Sequence, residues 1–106
     1  MPRPAAPSPT KAAFTRLQEI LGRGAGPDRM PREVEAIVIR LREQGDADQV
    51  QEWLEELRDG FAENVGPAYE AIEEIESSQK AARLHAEKAA RAMEAARDAF
   101  GRALAA

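Results

Sequence analysis

Glu70, Glu73, Glu74 and Glu76 fall within seven residues of the segment EAIEEIESS, and so dense a group of carboxylates is the first place to look for chemistry. On a helix, Glu70, Glu73 and Glu74 share a face. Two carboxylates in unlike surroundings can divide acid and base roles, and inward-facing glutamates on paired helices hold di-metal centres. Those centres also require Glu-x-x-His pairs, and the chain has one histidine, His85, with alanine three positions before it. The four glutamates therefore read as a solvated acidic surface near the start of a helix, where the macrodipole favours negative charge. His85 cannot build a metal site alone and is expected to be an ordinary half-exposed side chain. Without cysteine there is no disulfide, thiolate zinc site or cysteine nucleophile. No catalytic, cofactor-binding or metal-binding residue and no small-molecule substrate is assigned, and a non-enzymatic chain is expected.

Charge is strongly segregated along the 106 residues. Residues 1–43 carry eight basic and five acidic side chains, residues 44–78 one and eleven, and residues 79–106 six and three, giving balances of +3, -10 and +3. Such blocks can pair within a molecule, pair between molecules, or form solvated surface. The opening MPRPAAPSP holds four prolines and no secretory apolar run, so residues 1–9 are expected to be a disordered tail. No stretch approaches the roughly 18–20 apolar residues of a membrane span, which predicts a cytoplasmic protein without a membrane partner. Twelve arginines against three lysines, with twenty-two alanines, fit a high-GC bacterial or phage genome.

The elements that must carry these residues are helical. In TKAAFTRLQEILGRG, Ala13, Phe14, Leu17, Ile20 and Leu21 share a face and Gly22 or Gly24 ends the helix, predicting a helix over 10–22. Pro31 opens a second, 31–44, in which Val34, Ile37, Val38 and Leu41 keep helical spacing and Gly45 follows. Asp46 and Gln49 form a capping-box pair for a third helix, 46–59, with Val50, Trp53, Leu54 and Leu57 buried. Trp53 reads as core. Gly60 closes that helix, ENVGP breaks the chain, and Pro67 opens a fourth helix over 67–104, roughly 50 Å long at 1.5 Å per residue. The expected fold is all-α: one domain over 10–106, with three short helices packed on a long C-terminal helix.

That last helix carries an alanine-rich coiled-coil seam. Gln79, Ala82, Ala86, Ala89, Met93, Ala96, Phe100 and Ala103 continue the alternating steps of four and three begun at Ala68, Ile72 and Ile75. Between residues 79 and 103 the fourteen a, d, e and g positions hold eight alanines, and the eleven b, c and f positions hold two. A buried methyl contributes about 0.8 kcal/mol against about 1.5–3 for a leucine or phenylalanine side chain, so the seam is weak per layer. Its compensation is close approach of two backbones. Gln79 is its polar register-setting member.

These expectations point to a non-enzymatic interaction or assembly protein, an adaptor acting through self-association or docking of the alanine-faced helix, with a homo-oligomer or another protein as partner. Two alternatives come from other classes. One is a DNA-packaging or DNA-processing adaptor, whose short head and long-helix core would resemble phage small terminase subunits. The other is a phage-type acidic inhibitor of a nucleic-acid-binding enzyme, presenting residues 46–76. A helix-turn-helix reading would put Glu70, Glu73, Glu74 and Glu76 on the groove-entering helix, which phosphate repulsion disfavours, so nucleic-acid contact is expected to be weak. Tyr69 and Glu73 stand in the Y-x-x-x-E spacing of helical-hairpin secretion substrates, but Trp53 is followed by Leu54 and Glu55 in place of a W-x-G turn, and that resemblance fails.

Overall fold

The computed structural model describes residues 8–106, so the tail expected over 1–9 lies outside the described residues except for Ser8 and Pro9. Its helices are α1 (Pro9–Gly22), α2 (Met30–Gln44), α3 (Ala47–Glu73) and α4 (Lys80–Ala105), with no strand among the described residues. The start and stop chemistry of the first half acts as the sequence implies. Helix α1 ends in a Schellman arrangement: Ala25 N–H donates to the Ile20 carbonyl, Gly24 N–H to that of Leu21, and Gly24 adopts φ 90°, a conformation that favours glycine. Pro31 sits in the first turn of α2. Asp46 Oδ1 accepts from Gln49 N–H at 2.9 Å while the Gln49 side chain accepts from Asp46 N–H at 3.1 Å, completing the capping box of α3.

The second half departs from expectation. Helix α3 neither stops at residue 59 nor restarts at 67; it runs for 27 residues through Gly60, Gly66 and Pro67. The chain turns instead at residues 74–79, and the C-terminal helix begins at Lys80. Burial explains why the breakers lose. Continuing the helix carries Val65 and Ile72 into register with Leu54, Leu57 and Phe61, leaving all five at 8% exposure or less. Burying two such side chains is worth about 3–6 kcal/mol, against about 3 kcal/mol for an interior proline. The carbonyl of Glu63, which Pro67 cannot satisfy, lies on an exposed part of the helix where water can reach it. Gly60 serves close approach rather than termination: a Cβ there would lie 2.8 Å from the Phe14 ring, which packs over it. Gly45 plays the same part beside Trp53, whose ring atoms would stand 2.6 and 2.7 Å from an added Cβ. Trp53 itself is half-buried at the edge of the core.

Folding back at 74–79 gives α4 a partner within the chain, and α3 with α4 forms the most extensive helix pair. Three phenylalanines tie this hairpin to α1. The Phe14 and Phe61 rings stack at 4.7 Å, and Phe61 and Phe100 at 6.1 Å, both within the range of favourable aromatic pairs. Leu17, Met30, Leu57, Phe61 and Phe100 are essentially solvent-free at the centre of the core. The molecule is long and flat, 53 × 39 × 20 Å, with a radius of gyration of 15.4 Å where a compact chain of this size would have about 13 Å. Its head is α1 and α2 packed on α3 as far as Ala68 and on the last half of α4, with the loop between them reaching Lys88 at Gly26; the rest of the hairpin is an arm.

Candidate functional site

The arm holds both features singled out from the sequence, in a different arrangement. Of the predicted seam, Ala96 and Phe100 are buried in the core, and Ala86, Ala89, Met93 and Ala103 are half-buried. Ala82 is exposed, and Gln79 is the residue preceding α4, so it holds no coiled-coil position. Ala68 and Ile72 sit on the opposite helix of the hairpin. The seam is thus divided. Toward the head the chain covers it, with Ala90, Ala92 and Ala99 buried as well; toward the tip it is partly bare. Leu84 stands on the same distal stretch at 66% exposure.

Two polar contacts fix how the arm closes. Arg83 Nη1 donates to the carbonyl of Ile75 at 2.7 Å and to that of Ile72 at 3.2 Å, so a guanidinium from α4 caps the C-terminus of α3. This is where free carbonyls and the negative end of the helix dipole attract a cation. At the base of the arm, the Tyr69 hydroxyl donates to Glu94 Oε2 at 2.6 Å. Glu94 is also 3.5 Å from Arg97, which reaches Asp98 at 2.9 Å. The hydrogen bond to the Glu94 carboxylate, with smaller contributions from burial and charge, holds the Tyr69 phenol above the usual tyrosine range. Sequence reading did not foresee either contact; the signal for the first was the Ser77-Ser78 pair with an arginine one turn into the next helix.

The four carboxylates are all exposed, and none makes an ion pair among the described residues. Their position corrects the sequence reading. Glu70 and Glu73 occupy the last turn of α3, Glu74 its cap and Glu76 the turn beyond, not the first turn of a helix starting at Pro67, and α3 supplies no basic residue in its own last turn. Charge of this sign at a helix C-terminus is unfavourable by about 0.3–1 kcal/mol per residue when exposed. The mirror situation holds across the turn, where α4 starts with Lys80 and has no acid in its first turn. The helix-turn-helix premise also falls, because Pro67 starts no helix.

His85 is exposed on α4. Among the described residues no group of three His, Cys, Asp or Glu side chains is placed to hold a metal ion, and no helix is long and apolar enough to cross a membrane. Open clefts flank the end of α4, one of about 330 Å³ against α3 and one of about 310 Å³ against α2. Compared with protein-family models, curated proteins and solved structures, the chain matches none.

Proposed function

We propose that this protein is a non-enzymatic helical interaction module whose α3–α4 arm is its docking element, in self-association or against a helix of another protein. The observation that carries the reading is the incomplete cover of the arm: Ala82, Ala86 and Ala89 on the distal part of α4 keep surface free on the face that the same helix buries at Ala96 and Phe100 near the head. Small side chains let a further helix approach closely, so that contact along the two backbones compensates for a seam that is weak per layer. Light scattering on wild type and on Ala89→Glu, with circular dichroism to verify that the variant keeps its helices, tests the reading. A wild-type mass above the monomer that falls to the monomer in Ala89→Glu is expected for self-association. Equal masses above the monomer count against the arm as docking element, and two monomers reduce the reading to docking on another protein.

A further inference from the structure

All ion pairs among the described residues join neighbours on one helix: Arg29 with Glu33, Arg58 with Asp59, and Arg97 with Glu94 and Asp98. The basic first block and the acidic middle block therefore do not neutralise each other by contact inside the molecule. Each has a defined surface. Between the first half of α1 and the second half of α2 lies an open groove of about 150 Å³, with buried Ala13, Ile37 and Leu41 at its base, exposed Arg16 and Arg40 beside them, and no carboxylate in its lining. At the arm tip the chain reads Glu73-Glu74-Ile75-Glu76, a half-exposed isoleucine between exposed carboxylates. Those carboxylates sit at the helix end that opposes their charge. Adverse local placement of this kind is characteristic of residues kept for something other than folding.

The tip cannot reach the groove of its own chain. The first half of α1 lies against Glu56, Leu57 and Gly60 of α3, and about sixteen residues of continuous helix, roughly 24 Å, separate that level from the tip. We propose that the arm tip of one copy docks in the α1–α2 groove of a second copy, placing Ile75 on the apolar base and Glu74 and Glu76 against Arg16 and Arg40. This names the partner and the site for the assembly reading above, and rests on it. A tip in another molecule's groove joins unlike surfaces, so a pair joined once retains one free tip and one free groove, and assembly closes into a ring or grows into an open chain. Exposed charge pairs are screened within about 8 Å at physiological ionic strength, so assembly is strongest in low salt.

The experiment is light scattering on the full chain at low salt with four samples: wild type, Glu74→Arg/Glu76→Arg, Arg16→Glu/Arg40→Glu, and the equimolar mixture of the two variants. Wild type is expected to exceed the monomer mass, each double variant to associate at least tenfold more weakly, and the mixture to recover, because each reversed surface then meets its complement. A misfolded variant cannot be rescued in this way. A mixture that stays monomeric, or double variants that keep the wild-type mass, overturns the proposal. If Ala89→Glu dissolves the assembly and the charge reversals do not, the arm remains the docking element and only the tip-to-groove contact fails. A wild type that is monomeric at low salt removes the second copy as occupant and leaves the groove to an acidic segment of another protein.

Discussion

Replacing Glu73 and Glu74 together by glutamine should make the protein more stable, although both side chains are exposed and lack partners among the described residues. Each negative charge in the last turn of α3 opposes the helix dipole by about 0.3–1 kcal/mol. Glu70 lies three and four residues before them, and like-charge pairs at these spacings cost about 0.2–0.5 kcal/mol each. Against this, the Arg83 guanidinium at the same helix end attracts both carboxylates and loses that attraction in the variant. The balance is a gain of about 1 kcal/mol, which for a domain of this size raises Tm by about 4–8 °C. Thermal unfolding followed by circular dichroism, in protein dilute enough that self-association adds nothing, measures it. Repeating the melt in 1 M salt, where the screening length is about 3 Å, should erase most of the difference. An unchanged or lower Tm at low ionic strength would refute the electrostatic argument, and so would a gain that survives high salt.

Gly66→Ala should stabilise by about 0.5–1 kcal/mol, because an added Cβ meets nothing within 4 Å and helix propensity improves. Gly60→Ala should give no such gain, since its Cβ must push the Phe14 ring off its stack on Phe61; denaturant midpoints of the two variants decide this. Arg83→Ala removes the donor of the Ile75 carbonyl, while the Ile72 carbonyl keeps the Ile75 N–H at 3.1 Å, and should cost about 1–2 kcal/mol, seen first as faster amide hydrogen exchange around the turn at residues 74–79. Tyr69 has a folded pKa raised above its unfolded value of 10.0, so its contribution is complete below pH 10 and fades as pH climbs through the folded value. Tyr69→Phe should therefore be slightly less stable at neutral pH and show a shallower loss of stability above pH 10.

Helices α1 and α2 and the start of α3 were legible because these helix ends are written in local chemistry. Gly24 needs its left-handed turn, Pro31 fits a first helical turn, and Asp46 and Gln49 satisfy each other's backbone amides regardless of what packs nearby. The end of α3 was not, because Gly60 and Pro67 carry local signals that distant residues outweigh: Phe14 occupies the space above Gly60, and the burial of Val65 and Ile72 exceeds the proline penalty. The turn escaped notice for an arithmetic reason. Residues 74–79 connect α3 to α4 so that Ile72 and Gln79 stay seven apart, and a heptad count passes through the turn without a slip. Periodicity records which residues share a face only while the helix is unbroken.

The acidic residues show how one shifted boundary reverses a physical conclusion. Glu70, Glu73, Glu74 and Glu76 are visible in the sequence as a cluster, and their exposure follows from composition alone. Placed at a helix start they stabilise it and need no other purpose; placed at the end of α3 they destabilise it, and only Arg83, arriving from the next helix, offsets them. A chain selected for stability alone would exchange the charges at this turn, putting bases on the last turn of α3 and acids on the first turn of α4. This chain has the opposite pattern on both sides of residues 74–79. The double glutamine variant therefore separates two effects in one molecule: a rise in Tm measures what Glu73 and Glu74 cost the fold, and a fall in solution mass measures what Glu74, the one of the two placed in the tip-to-groove contact, contributes to assembly.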